Sequence, residues 1–188
     1  LDPMHGTYAL SGTSVRDLDL AATRARFAVV DDEPHVFAST LRENLRFARP
    51  ASVDDDLTAA LVRAGLGDLL AALAEGLDTM LGSGGRGLSG GERARLAIAR
   101  AVVSARPILL LDEPVAHLDH ATAVAVLHDL RSAARDRTLV MVSHRPDGLA
   151  DFDAVMEVMD NGEISTTVCR RAACTDESDE LRQAEEAP

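Results

Sequence analysis

Apolar residues along the chain fall into short unbroken runs and longer stretches with helical spacing, and the two kinds of segment alternate. Ile108 to Leu111 is an unbroken run, the pattern of a strand covered on both faces, with Asp112 and Glu113 at its carboxyl end. Arg24 to Val30, Thr138 to Ser143 and Ala154 to Met159 supply further strands, the second ending at His144. Gly6 to Leu10 and Val15 to Leu20 read as short strands around the turn Ser11-Gly12-Thr13. Helical spacing marks the stretch after Gly91, where Leu96, Ile98, Ala99, Val102 and Val103 cover most of the surface while Arg93, Arg100 and Ser104 share one stripe. Ser52 heads a helix with Asp54, Asp55 and Asp56 in its first turn and Leu57, Ala60, Leu61 and Ala64 on one face, ending at Gly65. Phe37 to Leu45, capped by Ser39 or Thr40, Asp68 to Ala74 and Thr122 to Ala134 add three more. Asp31-Asp32-Glu33-Pro34 forces a loop because a residue before proline avoids the helical region, and Asn161-Gly162 gives a two-residue hairpin turn.

This alternation predicts an α/β fold with a mostly parallel sheet, helices on its faces and an inserted helical subdomain. Ligands of such sheets bind at the carboxyl edge of the strands. From Thr166 the pattern dissolves, and the acidic stretch 166–188 is too polar to offset its ordering entropy, so it is expected to be disordered.

Composition narrows the functional classes. A net charge of −12 and a pI near 4.8 argue against nucleic acid as a partner, since phosphate backbones need a basic face. All 19 basic residues are arginine. No apolar stretch approaches the ~18 residues of a membrane span, and the N-terminus carries no signal-like pattern. Cys169 and Cys174 lie close together without a second pair to complete a metal site, and are read as incidental in a reducing compartment.

The candidate chemistry lies in the segment LSGGERARLAIARAVVSARPILLLDEPVAHLD, Leu88 to Asp119. Gly90 and Gly91 leave a helix N-terminus uncrowded and Ser89 adds a hydroxyl, so backbone N–H groups and the positive end of the helix dipole face one anion site, best suited to phosphate. Taken singly, each motif has a plain structural explanation: a glycine-capped helix, two solvated acids at a strand end, a packed histidine. Their order and spacing carry the signal, because Asp112, Glu113, the Leu118-Asp119 pair and His144 all fall on one sheet edge.

With these motifs in place, residues 1–165 resemble the nucleotide-binding domain of an ATP-binding cassette (ABC) protein, with a helical subdomain at about 38–103. The resemblance implies a P-loop NTPase core in which Leu88 to Glu92 is the signature, Ile108 to Glu113 the Walker B strand, Ala116 to Asp119 the D-loop and His144 the switch histidine. It implies ATP and Mg²⁺ as ligands: Asp112 and Asp32 toward the metal, Glu113 and His144 in catalysis, and Ser89, Gly90, Gly91, Asp32 and Asp119 toward nucleotide. Ser89 and Gly91 serve the nucleotide of a second cassette subunit in a head-to-tail dimer. PHVFASTLRENL resembles exporters whose cassette is joined to a transmembrane domain, which places the assembly at the cytoplasmic face of the plasma (inner) membrane. GLDTMLGSGGRGLSGGE and AHLD are similar to subunits of heterodimeric exporters of thiols such as cysteine or glutathione.

Two departures from the family pattern shape the expectations. G-x-x-x-x-G-K-[ST] needs a lysine, and the chain has none, so the first strand, the P-loop helix and the membrane domain are expected to lie upstream of Leu1, leaving this chain alone inactive as an ATPase. Asp32 stands where the family usually has glutamine; an acid there binds metal but repels a γ-phosphate, which favours a non-catalytic regulatory cassette as an alternative. A soluble ABC ATPase of DNA repair or translation is disfavoured by the acidic charge and the lack of coiled-coil heptads.

Overall fold

The structure, a computed structural model, describes residues 6–10, 12–145, 149, 152–159, 163–170 and 173–176, with 169, 170 and 173–176 described by their backbone. It divides into two compact units, 1–144 and 145–188.

The first unit opens with β1 (Ala9–Leu10) and β2 (Thr13–Ser14), an antiparallel pair. The expected strand from Val15 to Leu20 is absent. Ser14 accepts a hydrogen bond from the Arg16 N–H and starts a 3-10 turn, and Asp19 caps the short helix α1 (Leu20–Arg24) by accepting from the Ala22 N–H at 2.7 Å. Side-chain oxygens that capture the backbone locally override a short apolar alternation here. β3 (Phe27–Val30) follows.

The helical region holds α2 (Leu41–Arg46), α3 (Asp54–Arg63), α4 (Gly67–Ala72) and α5 (Gly90–Val103). Thr40 caps α2 through the Glu43 N–H, one of the two caps expected. Ser52 does not cap α3, which begins after Val53; its hydroxyl is buried without a hydrogen-bond partner, and three aspartates in the first turn complement the helix dipole instead. Leu45, Leu57, Leu61 and Leu96 are fully buried where α2, α3 and α5 meet. Arg42 ties α2 to Asp54 and, at 3.0 Å, to Asp78.

After α5 come β4 (Ile108–Asp112), α6 (His120–Ala133) and β5 (Thr138–Val142). β3, β4 and β5 form a parallel sheet in that order, with Val30 opposite Leu111, Leu111 opposite Met141 and Asp112 opposite Val142. The face bearing Ala28, Val30, Leu109 and Leu111 is buried. The other is barer than the apolar run predicts: Ile108 and Leu110 are half-buried, and Val29 and Val140 are 68% and 44% exposed.

Arginines lace these elements through backbone carbonyls. Arg137 donates to Ala101 and Val102 at the end of α5, each at 2.9 Å, Arg63 to Ala133 at the end of α6 at 3.0 Å, and Arg106 to Phe27 of β3. A planar guanidinium reaches two carbonyls with fixed geometry, which an ammonium cannot reproduce.

The second unit contains β6 (Ala154–Val158), β7 (Ile164–Arg170) and β8 (Ala173–Asp176), an antiparallel sheet. Residues 166–170 and 173–176 are paired strand and not disordered, because neighbouring strands close a hairpin ladder between backbones whose polar side chains show no apolar alternation. The expected turn at Asn161-Gly162 and the tail at 177–188 lie outside the described residues. Cys169 and Cys174 occupy directly opposite backbone positions on β7 and β8.

Candidate functional site

The parallel register delivers the chemistry. β3, β4 and β5 end side by side, so Asp32, the Asp112-Glu113 pair and His144 leave the sheet at the same edge. Asp112 is the exposed last residue of β4. Glu113 takes φ 48°, in the left-handed region that non-glycine residues seldom occupy. It is held there because its N–H donates to Val142 of β5 and its carbonyl accepts from Ala116, at 3.0 Å each. Local strain of about 1–3 kcal/mol of this kind persists only where the surroundings over-determine it.

The turn aims the Glu113 carboxylate at His144. Oε1 accepts from the His144 N–H at 3.1 Å and lies 2.7 Å from His144 Nδ1. The glutamate side chain is 24% exposed and the imidazole 71%. Among the described residues, Oε2 of Glu113 is buried and has no hydrogen-bond partner. One oxygen therefore fixes the histidine, and the other is left without a hydrogen-bond partner.

Asp32 sits in a stiff turn: Asp31 Oδ1 accepts from the Asp32 N–H at 3.1 Å, and Asp32 Oδ1 from the Glu33 N–H at 2.9 Å. Its Oδ2 lies 3.8 Å from His117 Nε2, in the segment between β4 and α6. In the sequence His117 carries no signal beyond its place two residues before Asp119.

Ser89 closes a reciprocal cap at the start of α5. Its Oγ accepts from the Glu92 N–H at 3.2 Å, while its own N–H donates to Glu92 Oε2 at 2.6 Å. This consumes two donors and leaves the N–H groups of Gly90 and Gly91 outside the box. Both glycines lie in close approach: a Cβ on Gly91 would stand 2.8 Å from Thr122 Cγ2, so something would have to shift, and one on Gly90 would stand 3.2 Å from Leu118 Cδ2, a tight contact. The signature turn therefore packs on the Leu118-Asp119 segment and the first turn of α6.

Asp119 itself caps α6, accepting from the Thr122 N–H at 3.1 Å. Hydrogen bonds from Thr122, side chain and backbone, hold its carboxyl below the usual carboxylate range. A carboxyl lowered in the folded state adds stability above its unfolded pKa and loses it as pH falls through the folded value, so this contribution fades only in acid, below about pH 4. Because asparagine caps as well as aspartate, Asp119→Asn is expected to match the parent at pH 7 and to lose less stability between pH 5 and pH 2, as read by urea unfolding at stepped pH.

Among the described residues no cluster of three His, Cys, Asp or Glu side chains could hold a metal by itself, and no helix is long and apolar enough to cross a membrane. The oxygen donors present nevertheless suit Mg²⁺, which takes one or two carboxylates and completes its shell with phosphate and water.

A parallel sheet with acids and a histidine at its carboxyl edge, joined to a helical region that ends in a glycine-started helix, is the fold of an ABC-type P-loop NTPase. Comparison with known proteins agrees. The sequence profile of the ABC transporter family matches residues 1–116, and the chain belongs to that family. It is 45% identical over 163 residues to the glutathione/L-cysteine transport system ATP-binding/permease protein CydC of Escherichia coli (strain K12), a match covering 87% of this chain and 28% of that protein. It is 42% identical over 156 residues to the mycobactin import ATP-binding/permease protein IrtB of Mycolicibacterium thermoresistibile, covering 83% and 27%. The solved structure of a bacterial Atm1-family ABC exporter with ATP bound superposes with a TM-score of 0.76 at 32% identity, over 97% of this chain and 31% of that one. The chain thus spans less than a third of the length of these relatives.

Proposed function

We propose that this chain is the nucleotide-binding part of a longer ABC transporter that hydrolyses ATP to move a small solute across a membrane, with a thiol such as cysteine or glutathione as the cargo. The observation that carries the reading is the Glu113–His144 contact at a strand edge shared with Asp112 and Asp32. Phosphoryl transfer needs placement and charge more than covalent chemistry. Glu113 Oε2, buried and unpartnered, accepts a proton from the attacking water; His144, seated on Oε1, faces the γ-phosphate. Asp112 and Asp32 are the residues that would hold Mg²⁺, which when bound neutralises charge on the β- and γ-phosphates. Ser89, Gly90 and Gly91 face the nucleotide of a second cassette subunit, and the packing of Gly90 on Leu118 supports that role by placing the signature turn beside Asp119. Fusion to a membrane domain and placement at the cytoplasmic face of the membrane rest on the ATP-binding/permease relatives.

The thiol cargo draws on the glutathione/L-cysteine relative; the mycobactin import relative supplies the rival cargo class. Full-length protein in lipid vesicles is expected to hydrolyse MgATP and to accelerate when cysteine or glutathione is added. Acceleration by a siderophore and not by thiols would transfer the protein to the rival class. Asp32 favours a second reading, a regulatory cassette whose own site does not turn over.

A further inference from the structure

We propose that Arg100, backed by Asn44 and Phe37, is a positioning residue for Asp32, fixing the acid loop to the same helix that presents Ser89. The inference rests on the nucleotide-site reading above.

Asn44 is completely buried in α2. Its Oδ1 accepts from the Phe37 N–H at 3.0 Å, and its Nδ2 donates to the carbonyls of Phe37 at 3.0 Å and Thr40 at 2.9 Å. Arg100, eleven residues beyond Ser89 on α5, grips this assembly from the other side. Its Nε donates to the Asn44 carbonyl at 2.8 Å, Nη2 to Asn44 Oδ1 and Nη1 to the carbonyl of His35. The guanidinium also lies over the Phe37 ring, 5.6 Å from its centre, and that ring is flanked by His35 at 4.7 Å and Phe47 at 4.8 Å.

All three Arg100 bonds go to neutral oxygens, so the half-buried cation has no carboxylate in that set, and partial burial lowers its pKa. If the aim were stability alone, a partly desolvated cation without a carboxylate among these partners would be a poor choice. What the three-way grip supplies is geometry. His35 lies three residues past Asp32, and the intervening turn is stiffened by the Asp31 and Asp32 side-chain bonds and by Pro34, so the place of the His35 carbonyl is passed back to the Asp32 carboxylate. The clamp is needed because the loop borders a cavity of about 360 Å³ lined by Asp31, His35, Phe37, Phe47 and Arg100, room into which it would otherwise shift.

Arg100→Lys keeps the charge and stem but cannot hold three acceptors at fixed angles. In the full-length protein it is expected to lower single-turnover hydrolysis about tenfold, since ångström-scale misplacement costs up to ~10²-fold, with KM for ATP changed less than about twofold. The loss should vanish when Asp32→Ala is already present, because contacting groups that act as one unit are not additive. Phe37→Ala, which removes only the exposed-side ring, should give a smaller loss with the same dependence on Asp32, and it carries the test if Arg100→Lys does not fold. An equal loss with and without Asp32, or full activity in folded Arg100→Lys, would overturn the proposal. A parent without ATP hydrolysis would instead sink the functional reading, and the clamp is then decided by hydrogen exchange: loss of Phe37 amide protection in Arg100→Lys supports it, and unchanged protection refutes it.

Discussion

In the full-length protein, Glu113→Gln is expected to leave nucleotide affinity intact while hydrolysis falls on the order of 10²–10⁴-fold, the range general-base catalysis supplies. The amide is isosteric and its oxygen can still face His144, which lies 2.7 Å from the parent carboxylate. What disappears is the basicity of Oε2, the buried oxygen without a partner, so an attacking water loses its proton acceptor while the phosphates keep their ligands. ATP-bound dimer should then accumulate, which size exclusion with radiolabelled nucleotide would reveal. If parent and variant hydrolyse at the same low rate, this subunit's own site is silent and the regulatory reading prevails.

The second large effect is expected in trans. Ser89→Arg places a long cation at a helix N-terminus where the partner's γ-phosphate is proposed to approach the Gly90 and Gly91 N–H groups. Losing one preorganised donor costs on the order of 10²–10³ in rate, and a steric block costs at least as much. The substitution also removes the cap on Glu92, so Ser89→Ala is the control: it forfeits the same hydrogen bond, about 1 kcal/mol, without the bulk. Hydrolysis would be followed in dimers carrying Ser89→Arg on this subunit together with Glu113→Gln, so that only the partner's site is counted. Unchanged turnover there would leave the glycine turn as a helix cap and nothing more.

Features encoded by neighbours in the chain were legible beforehand. Thr40 caps α2 three residues before Glu43, the ILLL run forms the central strand, and α5 buries Leu96, Ile98 and Ala99 as its spacing required. The strand-edge constellation was legible too, since a parallel order places every strand end on one side. What escaped depends on distance or on a single atom. α1 is started by the Asp19 side-chain cap, and β7 and β8 escaped for a different reason, being hairpin strands whose polar side chains show no apolar alternation. The exposure of Val29 and Val140 could not be inferred from an apolar run, which reports preference and not coverage. Arg100 was visible only as a polar position on a buried helix, because its partner Asn44 stands 56 residues away.

The arginine straps have a chemical corollary. With no ε-amine in the sequence, amine-directed acylating agents and cross-linkers find no lysine in this chain, and lysine acetylation or lysine ubiquitination cannot act on it. A dicarbonyl reagent selective for guanidinium groups would behave oppositely: an adduct at half-buried Arg100 or Arg137 would release the carbonyls that side chain holds, so labelling there should lag behind that of an exposed arginine such as Arg135.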